Sequence, residues 1–126
     1  MKKIITTDKA PAPIGPYNQA VLLGNLLYTS GQIAINPKTG ALEIDDIEKE
    51  TKLVMENLKA ILEEAGMTFK NVIKSSIFVS DMHNFSKINK IYGQYFNAET
   101  APARETVEVA NLPKFVNVEI SVIAAC

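Results

Sequence analysis

The C-terminal stretch "APARETVEVANLPKFVNVEISVIAA", residues 101–125, decides the fold class. Polar and apolar side chains alternate near 104–109 and again near 116–125. This two-residue period predicts two β-strands, each with one face on a core. Arg104 stands directly before the first alternating run, and Glu119 interrupts the apolar second run. A small protein needs a reason to place these two charges in its terminal strands.

Upstream of this stretch, apolar or small residues recur at helical spacing from 47 to 65, and Gly66 is a residue type that commonly ends a helix. The run "NVIKSSIFVS" at 71–80 is rich in β-branched residues and predicts a strand. A second helical stripe predicts a helix at roughly 85–96. The middle of the chain is therefore predicted to form a helix, a strand and a second helix, in that order.

The N-terminal third is rich in turns. Prolines and a glycine in "APAPIGPYNQA" indicate a loop or extended segment at 10–20. Two short apolar runs follow around Gly24-Asn25, a dipeptide that favours a hairpin turn because both residues tolerate positive φ. The predicted order is therefore ββ-α-β-α-ββ.

This order predicts an α+β fold, a single mixed β-sheet with two helices on one face, in a single domain spanning residues 1–126. Such a sheet leaves its other face uncovered. In the last strand one set of alternate positions is apolar, whereas the other set begins with Asn117, Glu119 and Ser121. A half-polar face fits a sheet that packs against another subunit around a shared cleft.

Composition excludes several classes of protein. The net charge is −1 and no Lys/Arg run stands out, which argues against nucleic acid as a partner. No apolar stretch is long enough for a membrane span, and the N-terminus has no signal-peptide pattern, so we expect a soluble cytoplasmic protein. The one histidine, His83, has no histidine or cysteine companion for a metal site, and Cys126 cannot form an internal disulfide. Glycine-rich phosphate loops are absent.

Arg104 and Glu119 remain as the candidate chemical groups, on strands that we expect to be neighbours. A partly buried arginine presents a planar fork that suits a carboxylate. A carboxylate in an apolar strand can have a raised pKa and act as a general acid or base, or orient water. The alternative reading is a structural salt bridge between the two side chains. Tyr17, Ser30 and Asn89 are further polar residues beside apolar segments.

Three blocks carry a resemblance that bears on these alternatives: "IGPYNQA" at 14–20, "YTSGQI" at 28–33, and "PAR", "VEVANLPK" and "VEI" in the C-terminal stretch. In order and spacing they resemble the RidA/YjgF family, also described as UK114-type or L-PSP endoribonuclease-like, from about residue 10 to 124. The resemblance implies a chorismate-mutase-like fold assembled as a homotrimer with clefts between subunits. It also implies cofactor-free hydrolysis of reactive 2-imino or 2-enamino acids, such as 2-aminoacrylate, to 2-oxo acids and ammonium.

The resemblance also implies roles for individual residues. Arg104 matches the arginine that grips the substrate carboxylate, and Glu119 matches the acidic residue that orients the attacking water or handles its proton. Cleft-lining positions match Tyr17, Ser30, Gly31 and Asn89. Each of these four has a structural alternative: a packing aromatic for Tyr17, a turn for Ser30-Gly31, and a polar position on a helix surface for Asn89.

One departure from the family pattern follows the arginine, where a small residue and often a cysteine are usual. Here Glu105 and Thr106 take those places. Because adjacent strand residues face opposite ways, Thr106 is expected to point with Arg104 toward the cleft as a substrate-binding residue, and Glu105 away from it. A cysteine nucleophile is excluded, since Cys126 lies outside the motif.

Two other functions stay open beside the deaminase. One is a ribonuclease or translation inhibitor, as the older family name implies, although such chemistry usually needs paired acid and base groups or metal ions and cationic contacts to phosphates. The other is a small-molecule-binding protein that uses the same clefts without turnover.

Overall fold

The computed structural model describes all residues from 1 to 126. Its main elements in chain order are β1 (Lys3–Ile5), β2 (Ala20–Leu23), β3 (Leu26–Thr29), α1 (Ile47–Glu64), β4 (Val72–Val79), α2 (Phe85–Tyr92), β5 (Ala103–Glu108) and β6 (Val118–Ala125). The strands form one sheet in the order β1-β2-β3-β6-β4-β5. Only the β4–β5 pair is parallel. The predicted mixed α+β sheet is confirmed.

Local sequence signals explain the ends of the helices. The side chain of Asp46 accepts a hydrogen bond from the Glu48 N–H and so caps the start of α1. The chain turns away after α1 at Gly66, whose φ is +74°. The predicted helix at 47–65 is confirmed. The second helix is shorter than predicted, because the chain tightens into a 3₁₀ turn at Gly93–Tyr95.

The predicted hairpin between β2 and β3 is also confirmed, with Gly24 at a φ of +61°. Asn25 does not adopt positive φ. Its side chain instead donates a hydrogen bond to the Cys126 carbonyl oxygen at 3.3 Å. Strand β1 was not predicted from the sequence; it is three residues long and extends the sheet by pairing with β2.

Both helices cover one face of the sheet. The buried set of alternate positions in β6 packs there with strand residues such as Ile77 and Val79 and with the inner faces of α1 and α2. That buried set is Val118, Ile120, Val122 and Ala124. The other set, which includes Glu119 and Ser121, lies on the open face and is only half-buried. The predicted division of β6 into a core face and a half-polar face is therefore confirmed.

The expectation that the strands of Arg104 and Glu119 are neighbours is wrong. β4 lies between β5 and β6, with Ser75 opposite Arg104 and Phe78 opposite Glu119. The reason is the parallel crossover from β4 through α2, which adds β5 outside β4 at the edge of the sheet. Ser75 and Phe78 lie an odd number of positions apart, so their side chains face opposite ways. Arg104 is consequently on the helix face and Glu119 on the open face.

Candidate functional site

The first candidate group surrounds Arg104. Its Nη1 donates a hydrogen bond to Oδ1 of Asn89 at 2.7 Å. The guanidinium carbon lies 5.4 Å from the ring centroid of Phe85 and 5.1 Å from that of Tyr92. None of the three ion pairs in the chain includes Arg104, whose side chain is exposed. The arginine is thus held by an amide and two aromatic faces while its charge remains without a counter-ion.

Helix α2 supplies this support because its spacing places the three residues on one side. Phe85, Asn89 and Tyr92 follow the helical repeat and so project toward β5 together. Tyr92 is buried, and its hydroxyl donates a hydrogen bond to Oγ of Ser75 at 2.9 Å. Burial raises the pKa of Tyr92, opposed by the bond to Ser75 and the charge of Arg104. This bond fixes α2 against β4, and with it the platform under the guanidinium.

The second group surrounds Glu119 on the open face. The side chain is half-buried and has no hydrogen-bond partner, and burial raises the pKa of its carboxyl. Gly31 lies against it: a Cβ at position 31 would stand 2.6 Å from Oε2 of Glu119. The segment is held there by two backbone hydrogen bonds between Gln32 and Ile120, at 2.8 and 3.1 Å. Position 31 must therefore be glycine for the carboxylate to keep its place.

Ser30 and Tyr17 lie on the segments that lead to this carboxylate. The Ser30 hydroxyl donates a hydrogen bond to the Asn18 carbonyl oxygen at 2.5 Å, and the Ser30 N–H donates to the Gln19 carbonyl oxygen at 2.8 Å. Tyr17 is half exposed, and its hydroxyl accepts a long 3.4 Å hydrogen bond from the Ile14 N–H. The structural alternative of a turn at Ser30-Gly31 is wrong, because neither residue lies in a turn and the chain continues from β3 alongside β6.

The buried side chain of Gln19 holds the proline-rich segment in place, a role that was not predicted from the sequence. Its Oε1 accepts a hydrogen bond from the Thr7 N–H at 2.7 Å. Its amide nitrogen lies within hydrogen-bond distance of the carbonyl oxygens of Thr7, Ala10 and Pro11. Such a fully satisfied buried amide positions the backbone on which Tyr17 sits.

Thr106 and Glu105 lie as the alternation in β5 predicts. Thr106 shares the helix face with Arg104, and its buried hydroxyl oxygen has no hydrogen-bond partner. Glu105 points to the open face, where it accepts a hydrogen bond from Ser76 and forms an ion pair of 2.8 Å with Lys74. These contacts, the one with Lys74 first, hold the pKa of Glu105 below its usual range.

The two groups do not meet within one chain. Arg104 and Glu119 are two strands apart, which is roughly 10 Å across the sheet, and three residues apart along the strands, which is about 10 Å. Their side chains also lie on opposite faces of the sheet. The alternative of a salt bridge between them is therefore wrong for a single chain. A site that uses both side chains needs one of them from a second copy.

Other candidate chemistry is sparse. His83 is exposed in a short turn, with Nδ1 2.8 Å from a carboxylate oxygen of Asp81. No group of three or more His, Cys, Asp or Glu side chains is arranged to hold a metal ion. None of the helices combines the length and the apolar character that crossing a membrane requires.

The fold and the two groups define the class of protein: a small α+β protein with an unpaired arginine and an unpaired carboxylate on opposite faces of one sheet. The model of the endoribonuclease L-PSP family matches residues 7–126, and the chain belongs to this family, which is the RidA/YjgF family of the sequence resemblance.

Relatives support this membership over the full length. The chain is 51% identical to a RutC family protein of Pyrococcus horikoshii and 46% identical to the 2-iminobutanoate/2-iminopropanoate deaminase of Salmonella typhimurium, in each case covering 98% of both chains. Among solved structures, Escherichia coli TdcF with bound serine has a TM-score of 0.92 at 44% identity, and the match covers 98% of both chains.

Proposed function

We propose that the protein is a cofactor-free hydrolase of 2-imino and 2-enamino acids, acting in clefts between the subunits of a homotrimer. The observation that carries the proposal is the pair of unpaired charges, Arg104 on an aromatic and amide platform and Glu119 half-buried without a partner. An unpaired arginine suits a carboxylate ligand, and a partly desolvated carboxyl suits proton transfer. Deaminase relatives support the reaction class.

Arg104 would bind the carboxylate of the substrate. Its guanidinium has five N–H donors, of which the bond to Asn89 uses one at Nη1, so the remaining donors can form a bidentate contact. The bond and the flanking rings limit the rotation of the guanidinium before a ligand arrives. Serine, which E. coli TdcF binds, carries the same carboxylate and an adjacent nitrogen.

Glu119 would act on the water. A 2-imino acid already contains an electrophilic C=N carbon, so no covalent nucleophile is needed. Ionised Glu119 accepts a proton from water as the oxygen bonds to that carbon, and it passes this proton to the imine nitrogen, which gives a carbinolamine. The hydroxyl proton of the carbinolamine then moves to the nitrogen as the C=O bond forms and the C–N bond breaks. Ammonia leaves, the 2-oxo acid remains, and Glu119 is ionised again. The balance is one imino acid and one water in, and one oxo acid and one ammonia out.

The subunit arrangement follows from the two faces. Because Arg104 and Glu119 of one chain cannot converge, the cleft would combine Arg104 of one subunit with Glu119 of another. The open face also exposes apolar side chains that a neighbouring copy would cover, among them Ile4, Leu23, Tyr28 and Val107. Tyr17, Ser30 and Gly31 would then border the Glu119 side, with Asn89 and Thr106 on the Arg104 side.

The direct test is turnover. An amino acid oxidase generates the imine in the presence of semicarbazide, which traps it as a semicarbazone; a deaminase lowers the semicarbazone yield and raises that of the 2-oxo acid. We expect this shift with the wild type and with Lys52→Ala, an exposed control, and its loss with Arg104→Ala. No shift with imines from alanine, serine, leucine or methionine would contradict the proposal.

The family description favours a second candidate, ribonuclease activity. The same preparations incubated with single-stranded RNA distinguish the two functions, because a ribonuclease that uses this site must lose RNA cleavage in Arg104→Ala. Binding of 2-oxobutyrate by the wild type without imine turnover would instead assign the clefts to a binding protein.

A further inference from the structure

A cavity of about 440 Å³ opens between the segments that lead into β4 and β5. Its six lining residues are Phe69, Lys70, Tyr95, Phe96, Asn97 and Thr100. The volume lies in the range of small-molecule sites. None of these residues is among the contacts of Arg104, so the cavity is distinct from the site described above.

Three aromatic rings form one wall. The ring centroids of Phe69 and Tyr95 are 5.2 Å apart, and those of Phe69 and Phe96 are 5.3 Å apart at an interplanar angle of 78°. The hydroxyl of Tyr95 donates a hydrogen bond to Oε2 of Glu56 at 2.6 Å, which anchors the ring at its outer end. Burial, then the bond to Glu56, raises the pKa of Tyr95, so the phenol stays protonated and neutral. The wall is therefore apolar and held in place, and its rings are steeply inclined to one another, so a ligand ring can lie against one ring and meet another at its edge.

The polar side chains of the cavity are all potential donors. Lys70 has no ion-pair partner, and neither its ammonium nor the Thr100 hydroxyl has a hydrogen-bond partner. Asn97 uses its side-chain oxygen to accept from the Glu99 N–H, which leaves its amide N–H groups free. No acidic residue lines the cavity. A cation and two neutral donors beside an aromatic wall are complementary to an anion with a flat apolar body.

We propose that this cavity binds an aromatic monocarboxylate, with its ring on the wall of Phe69, Tyr95 and Phe96 and its carboxylate at Lys70, Asn97 and Thr100. A saturated ring of similar size fits the wall less well, because it cannot form offset or edge-to-face contacts. A neutral amide loses the charge-assisted bond to Lys70. The aromatic wall thus selects the ring of the ligand, and the polar side chains of the cavity select its carboxylate.

The test uses 2-naphthoate as the probe and Arg104→Ala as the background, so that carboxylate binding at Arg104 does not contribute. Titration followed by NMR should shift the signals of the Thr100 methyl group and the Tyr95 ring. Adding Lys70→Met should weaken binding about tenfold, since it removes the charge and keeps the aliphatic stem. The matched control, Lys52→Met, should leave the affinity unchanged. Decahydro-2-naphthoate, which has the same carbon skeleton without aromaticity, and 2-naphthamide should bind more weakly than 2-naphthoate.

Three outcomes would overturn the inference. One is the absence of binding to Arg104→Ala at millimolar 2-naphthoate. Another is an equal affinity in Lys70→Met and Lys52→Met, and the last is a set of shifts that excludes Thr100 and Tyr95. None of them bears on imine turnover at Arg104 and Glu119, so this inference and the proposed function can fail separately.

Discussion

At the scale of the residue, what distinguishes Arg104 and Glu119 is the absence of a partner. Most exposed charges on a small protein are either solvated or paired at little net gain. Arg104 is instead oriented by Asn89 and two rings, and Glu119 is half-buried against Gly31 with no hydrogen-bond partner. Both arrangements favour a ligand that completes them, and each has its own test.

Two substitutions of Arg104 should distinguish what its charge contributes to ligand affinity from what its bidentate geometry contributes. Arg104→Ala should weaken binding of 2-oxobutyrate by roughly thirtyfold or more, as expected for loss of one partner of a partly buried charge pair. Arg104→Lys keeps the charge but cannot form the bidentate fork or the contacts with both rings, so most of the affinity should also be lost. Calorimetric titration measures both values, and wild-type affinity in Arg104→Ala would disprove the carboxylate contact.

Substitution of Glu119 should lower turnover without lowering stability. Glu119→Gln removes the proton acceptor, so the rate of imine hydrolysis should fall about 10²- to 10⁴-fold while 2-oxobutyrate still binds. In the wild type the rate should rise with pH through the raised pKa of Glu119, because the ionised form is the base. Normal turnover in Glu119→Gln would show that a group other than Glu119 activates the water.

The sign of the stability effect follows from the same raised pKa. The folded state holds the proton of Glu119 more tightly than the unfolded state, so wild-type stability falls as pH rises through the folded pKa. The amide of Glu119→Gln does not ionise, so this variant does not lose stability in this way as the pH rises. Its melting temperature should therefore equal or exceed that of the wild type at pH 8, with a smaller advantage at pH 4.5. A clearly lower value at pH 8 would show that a cation pairs with the carboxylate.

At the scale of the element, the first turn of α1 anchors the start of β6. Glu50 is fully buried, and its two carboxylate oxygens accept hydrogen bonds from the N–H and the side-chain amide of Asn117, both at 2.8 Å. Burial raises the pKa of Glu50, against the lowering effect of the bonds from Asn117. Asn117 directly precedes β6, so this contact sets where the strand of Glu119 begins.

Removal of the anchor should destabilise the fold. Glu50→Ala leaves two partly buried donors of Asn117 without their acceptor, which should lower the free energy of unfolding by about 1–3 kcal/mol. Glu63→Ala, in an exposed position on the same helix, is the control and should change it little. Urea denaturation measures both. Equal stability of the two variants would mean that water or a rearranged side chain replaces the bond.

At the scale of the whole molecule, a site that uses both Arg104 and Glu119 needs more than one subunit, because the two side chains lie on opposite faces of the sheet. We expect a homotrimer by sedimentation equilibrium, and we expect two inactive variants to complement each other. In trimers refolded from equal amounts of Arg104→Ala and Glu119→Gln, random assortment should restore about a quarter of the intersubunit sites. Each variant refolded alone is the control. Absence of any recovered imine turnover in the mixed sample would contradict a site shared between subunits.

Much of the fold was predictable from the sequence because the signals are local. Helix α1 was predicted from its stripe and from Gly66, the hairpin from Gly24, and the two faces of β6 from their alternation. β1 was missed because three residues are too few to show a period. The three blocks at 14–20, at 28–33 and in the C-terminal stretch also indicated the candidate residues and the family from the sequence alone.

The sequence by itself determined which side of each strand is buried and which residue types the candidate site contains, since both depend on neighbours along the chain. Only the tertiary structure decided which strands are adjacent. The crossover through α2 placed β5 outside β4 and put Arg104 and Glu119 on opposite faces. It also made Phe85 and the buried Tyr92 the support of the arginine. It also revealed that Gly31 makes room for a carboxylate. Strand order and contacts across the sheet depend on residues that are far apart in the chain, so the periodicity of the sequence does not predict them.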